Sequence, residues 1–124
     1  MTATSDDARL VRTEDVAWDD LDKGSTTPEA MRKGVRRKWL LEGEGDFFVQ
    51  YVEMPAGHVI APHSHDHDEL IVVLKGSATF PGLGSAGADD CLHLRADTPY
   101  SFEVGEDGIG FLIVRGAPAT LEMR

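Results

Sequence analysis

The chain has 124 residues, 41% of them hydrophobic, and a formal net charge of −10 from 12 basic and 22 acidic side chains. That length suits one domain with its own core. The acidic balance argues against nonspecific binding to nucleic acid or to anionic membranes, since both reward basic surfaces.

The single cysteine, Cys91, rules out an intrachain disulfide. Its place in a strand-like run predicts a buried, unreactive thiol. The N-terminal residues lack the apolar segment of a secretory signal. No apolar run approaches the roughly 20 residues of a membrane helix. A cytoplasmic protein is expected.

Residues 1–38 read as an N-terminal arm. Met1 to Asp7 are small and polar and are expected to be disordered. Arg9 to Val16 reads as a short strand or extended arm. Trp18 and Leu21 are apolar anchors within the acidic stretch Asp15 to Asp22, docking the arm on the body or on a second subunit. Gly24 to Pro28 reads as a turn, and Thr27 as the N-cap of one helical turn at Pro28 to Met31. Arg32, Lys33, Arg36, Arg37 and Lys38 form a basic cluster, read as a solvated segment that offsets nearby acids.

Residues 39–116 read as strand after strand. Trp39 to Leu41 leads through a turn at Glu42 to Asp46 into a strand from Phe47 to Met54. Pro55 to Gly57 breaks that strand, and a histidine-rich run follows. Next come a strand Glu69 to Leu74, a turn at Lys75 and Gly76, and a strand Ser77 to Phe80. Pro81 to Ala88, with three glycines, is expected to be a loop. Strands follow at Cys91 to Leu94, Tyr100 to Val104 and Ile109 to Arg115, with a hairpin turn at Gly105 to Gly108. Residues 117–124 form a C-terminal edge segment.

Many short strands with turn signals between them indicate an all-β sandwich or barrel. Phe47 to Val49, Leu70 to Leu74 and Phe111 to Val114 are apolar at both parities, so both faces of these strands are covered. The interior covers one face. The arm or a partner subunit covers the other, and a homodimer is expected.

Four of the five histidines lie between His58 and His67. His63 and His65 point the same way from an extended chain, and Glu69 follows at an even offset. Two neutral imidazoles and one carboxylate on one side of a metal leave the opposite side open to water, substrate or oxygen. Non-haem iron sites use this arrangement, though not they alone.

Gly57, five residues, His63, one residue, His65, three residues, Glu69, six residues, Gly76 resembles the first motif of the cupin superfamily at every defined position. The resemblance covers Trp39 to Val114. It implies a small antiparallel jelly-roll barrel, often dimeric. It further implies that His63, His65 and Glu69 bind one divalent metal, Fe, Mn, Ni or Zn, inside that barrel.

The second cupin motif is degenerate. Asp90, the apolar strand, Pro99 and Phe102 keep its pattern. Asp89 and Asp97 stand where glycines are usual, Arg95 where proline is usual, and Tyr100 where a fourth histidine ligand is expected. Three readings follow. The metal sits on three ligands with Tyr100 beside it as acid/base; or Tyr100 is itself a phenolate ligand, which favours iron; or no metal is used and the histidines and tyrosine move protons unaided. The first is the leading reading. A neutral phenol donates well but removes a proton only where a metal or a cation lowers its pKa.

His67 continues the alternation and is placed at the rim, His58 is peripheral, and His93 is read as a satisfied core or interface histidine. Tyr51, Phe80, Phe102 and Phe111, with Trp39 near the mouth, are expected to line a pocket for a small, partly hydrophobic organic substrate. The expected activity is metal-dependent lyase, isomerase or cyclase chemistry with the metal as Lewis acid and Tyr100 catalytic. An iron-dependent dioxygenase and a non-catalytic ligand- or metal-sensing protein are the alternatives.

Overall fold

Side chains in a strand alternate between two faces, and this fold turns on two places where the alternation changes phase. The structure is a computed structural model. It describes residues 2–4, 8–23, 25, 27–118 and 120–124.

A small hairpin begins the chain, pairing β1 (Thr2–Thr4) with β2 (Arg9–Val11). The disorder expected for Met1 to Asp7 is therefore corrected for residues 2–4. Positions 1 and 5–7, and Gly24 and Thr26 of the expected turn, lie outside the described residues. A short helix, α1 (Glu29–Arg32), follows. Its N-cap is Pro28 rather than Thr27, with no side-chain cap bond.

The main sheet has eight strands among the described residues. They are β3 (Arg36–Glu42), β4 (Phe48–Met54), β5 (Val59–Ser64), β6 (Glu69–Phe80), β7 (Gly84–Gly87), β8 (Cys91–Leu94), β9 (Tyr100–Arg115) and β10 (Glu122–Met123). Every pairing is antiparallel, and the sheet wraps into a jelly-roll barrel. β9 is central, pairing with β4, β5 and β6. No helix of the described residues is long and apolar enough to cross a membrane.

Three expectations are corrected here. Gly84 to Gly87 forms β7 rather than loop. Lys75–Gly76 does not interrupt β6, and Gly105 to Gly108 does not make a hairpin, because β9 runs on through it. Instead the two long strands bend together. Gly76 pairs with Ile109, whereas Ala78 pairs with Val104, so β9 spends extra residues at the corner. Gly76 has φ +71, and a Cβ there would lie 2.0 Å from the carbonyl oxygen of Gly108. Only glycine permits that approach.

The corner changes the phase of both strands. On β6 the buried positions are Glu69, Ile71 and Val73 before it, and Ala78 and Phe80 after it. On β9 they are Phe102 and Val104 before it, and Ile109, Phe111 and Arg115 after it. A straight strand of 16 residues would span roughly 50 Å. Because β9 bends, its two ends face each other across the interior.

On β8, Leu94 is buried and Leu92 packs against the core, so alternation turns Cys91 and His93 outward. The cysteine is exposed, and His93 pairs at 2.8 Å with Asp68 on the surface; both corrections follow from which parity the leucines take. In the arm, Trp18 lies 4.1 Å from the Arg36 guanidinium and 4.6 Å from the Lys38 ammonium. The basic cluster is paired: Arg32 with Asp22, Arg36 with Glu53, and Arg37 with Asp19.

Candidate functional site

Two cross-strand neighbours build the site. His63 on β5 lies opposite Tyr100 on β9, and Glu69 on β6 lies opposite Arg115 at the other end of β9. The bend in β9 brings the two pairs together. His65 follows directly after β5. His63, His65, Glu69 and Arg115 are all buried.

Tyr100 donates its hydroxyl hydrogen to Glu69 Oε1 at 2.9 Å, and Arg115 donates Nε–H to Glu69 Oε2 at 2.7 Å. His65 Nε2 lies 3.3 Å from the tyrosine oxygen and 3.5 Å from Glu69 Oε2. The tyrosine ring also covers His63, with ring centres 4.3 Å apart. Both histidines give Nδ1–H to a backbone carbonyl, His63 to Ala61 at 2.8 Å and His65 to Thr120. Those bonds fix the tautomer, so in each neutral ring Nε2 carries the lone pair.

Environment tunes these groups. Burial pushes the Tyr100 phenol well above its ordinary value, and the Glu69 charge and hydrogen bond add to this against the opposing Arg115. Burial likewise lowers the His63 imidazole, with the Ala61 carbonyl acting the other way. Tyr100 is thus a neutral donor and His63 a neutral acceptor near neutral pH.

The C-terminal segment completes the site. β10 pairs with β5, and Thr120 holds the turn after it: its carbonyl accepts from His65, and its Oγ1 accepts from the Asp66 N–H at 3.1 Å. Arg124 donates Nε–H to Ser64 Oγ at 2.9 Å.

A cavity of about 390 Å³ opens beside these residues, with His63, His65, Tyr100 and Arg115 in its wall. Of the aromatic candidates, Phe102 and Phe111 line it. Phe80 is core packing behind Phe102, ring centres 4.8 Å apart. Tyr51 has the opposite parity to buried Gln50 and Val52, and its hydroxyl donates to Glu53 at 2.6 Å. Trp39 stacks near Arg37 and stays outside the lining. His67 is bonded to Asp66, and its buried Nε2 has no hydrogen-bond partner among the described residues; it too is outside the lining. His58 bonds the Met31 carbonyl at 3.0 Å, away from the site.

Sequence reasoning missed Arg115 and Gln50, as well as Leu21, Met31 and Val35 of the arm, which complete the cavity wall. The available signal for Arg115 was its parity with Phe111 at the end of an otherwise apolar strand.

Solved structures share this architecture. RemF, a polyketide cyclase from Streptomyces resistomycificus, matches with a TM-score of 0.74 and 19% identity over 92% of this chain and 83% of that one. A sugar phosphate isomerase from a cupin superfamily, from Silicibacter pomeroyi, gives 0.69 and 20% over 93% and 81%. The chain has the cupin fold. KdgF from Halomonas sp., at 0.68 and 18% over 88% of this chain and 95% of that one, agrees. Neither a family model nor a curated protein matches the sequence.

The metal expected of a cupin can be tested against these donors. The imidazoles suit one, since metal-bound histidines commonly give their other N–H to a carbonyl. The carboxylate does not. Both Glu69 oxygens accept from protein donors, and the Arg115 cation already compensates its charge. Among the described residues, no three His, Cys, Asp or Glu groups stand together as a metal site. As arranged, the set does not fit a three-donor metal centre.

Proposed function

We propose that this cupin is an enzyme that moves a proton on a small organic substrate, in lyase, isomerase or cyclase chemistry. The observation that carries the reading is the Tyr100 hydroxyl, held between the Glu69 carboxylate and the His65 imidazole in the wall of a largely apolar cavity. That a polyketide cyclase and a sugar phosphate isomerase share the fold supports it.

The chemistry follows from donors and acceptors. His63 Nε2 takes a proton from a carbon next to a substrate carbonyl, and the electron pair moves onto the carbonyl oxygen. Tyr100 turns its one O–H from Glu69 to that oxygen as charge develops. Glu69, bonded to Arg115, accepts that O–H when no substrate is bound. Returning the proton to a different atom gives an isomer; loss of a leaving group gives the lyase outcome.

The test is solvent deuterium uptake at carbon in a panel of small carbonyl compounds, followed by proton NMR. Wild type should accelerate uptake for at least one compound, and both His63→Ala and Tyr100→Phe should abolish it. No uptake above buffer across the panel would sink the reading.

One observation favours a second reading. Both imidazoles are oriented through Nδ1, as metal ligands are. A divalent ion on His63, His65 and Glu69 then requires Glu69 to leave Arg115. Elemental analysis decides: near-stoichiometric metal in wild type, lost in His63→Ala, establishes the metal reading.

A further inference from the structure

Arg115 does more than its bond to Glu69 requires. A guanidinium has five N–H donors. Nε is taken by Glu69, while Nη1 is buried with no hydrogen-bond partner among the described residues. Buried polar groups left unpaired are rare and call for an explanation. The side chain is only 5% exposed, yet it forms part of the cavity wall. A donor of this kind beside a cavity marks where an acceptor from a ligand belongs.

The charge of the lining points the same way. The whole chain has 22 acidic and 12 basic side chains. The lining reverses that balance: among the described residues it contains Lys23, Arg32, Arg37 and Arg115 and no aspartate or glutamate. Arg32 and Arg37 are paired with Asp22 and Asp19, but neither acid reaches the lining. An acidic protein that keeps carboxylates out of one cavity attracts anions there and repels them elsewhere. Ile60, Ile71, Phe102 and Phe111 give the wall an apolar part.

We infer that the cavity takes a small organic acid, and that Arg115 anchors its carboxylate while the apolar wall holds its body. The inference rests on the proposed function only in taking this cavity as the substrate site. Arg115 bridges two carboxylates in the complex: its own Glu69 through Nε, and the ligand's through the free end of the fork. A planar fork offers the second carboxylate a fixed pair of N–H donors, which an ammonium does not. Lys23 and the two arm arginines supply the field at the mouth that steers the anion inward. A volume of about 390 Å³ sits at the small end of ligand pockets, which limits the body to a few carbon–carbon bonds or one ring.

The experiment is a calorimetric titration of wild type with benzoate and hexanoate, and with benzamide and hexanamide as uncharged counterparts. In parallel, the arginine Nε–H resonances are followed by NMR. The carboxylates should bind about tenfold or more tightly than the amides. They should move the Arg115 resonance, and Arg115→Lys should lose about the same factor. Should Arg115→Lys not fold, the resonance in wild type gives the answer by itself. Equal binding of amides and carboxylates overturns the inference. So do carboxylate binding that leaves the Arg115 resonance unmoved and failure of every probe to bind. Tyr100→Phe should still bind the carboxylates, which separates this inference from the proton-transfer reading. Binding at Arg115 without any deuterium uptake removes only that reading; uptake without a preference for carboxylates removes only this inference.

Discussion

The two ends of the barrel interior are built from the same strands but obey different rules. Around the bend, β6 and β9 contribute Ala78, Phe80, Val104 and Ile109, all nearly inaccessible. At the other end the same strands contribute Glu69, Tyr100 and Arg115. The apolar end gains from every ångström of surface removed from water. The polar end buries an ion pair whose desolvation cost rivals its attraction. Stability therefore belongs to one end, and the other is the end that carries the proposed chemistry.

Substitutions can break that division, taken here from the largest expected effect downward. Tyr100→Phe should cut the deuterium-uptake rate by about 10²–10⁴-fold, while urea unfolding shows little loss of stability. A stability loss matching that of a core mutant would place Tyr100 with the structural end. Phe80→Ala should do the reverse. It removes a side chain that is 2% exposed, and should cost about 3–5 kcal/mol in urea unfolding with the uptake rate per folded molecule kept.

Arg115→Met leaves the Glu69 charge buried and uncompensated, and should cost up to about 3–5 kcal/mol. Glu69→Leu combined with Arg115→Met should recover most of that stability and none of the activity, measured by the same two assays. The smallest effect lies outside the barrel. Burial raises the Glu53 carboxyl, but hydrogen bonds from Tyr51, Lys75 and Arg36 outweigh it and bring it down to about 2. A carboxyl depressed in the folded state stabilises above its unfolded value near 4.5 and loses that contribution as pH falls towards 2. Arg36 and Lys75 are largely exposed, so the contribution should stay within about 1 kcal/mol. The gap in urea midpoint between wild type and Glu53→Gln should shrink as pH drops below about 4.5.

What could be read from sequence was local. His63, His65 and Glu69 lie within seven positions, and in the structure His65 and Glu69 stand beside the Tyr100 hydroxyl and His63 against its ring. The strand boundaries at Cys91–Leu94 were also legible from composition alone. Arg115 was not, because its partner is 46 residues away and only the register between β6 and β9 joins them. The bend was misread for a related reason. Gly76 and Gly108 look like turn residues, and their role as a corner depends on each meeting the other. Tyr51 was assigned to the pocket by residue type, whereas the parity of Gln50 and Val52 decides against it.

The bond from His65 to the Thr120 carbonyl has a practical side. An imidazole at the heart of the site takes its orientation from the last few residues of the sequence, which lie along β5 as β10. The polar end is thus fastened by a latch on the outside of the barrel. Leu121 in the same segment also packs against the core, so trimming residues 120–124 should loosen both the His65 ring and the barrel around it.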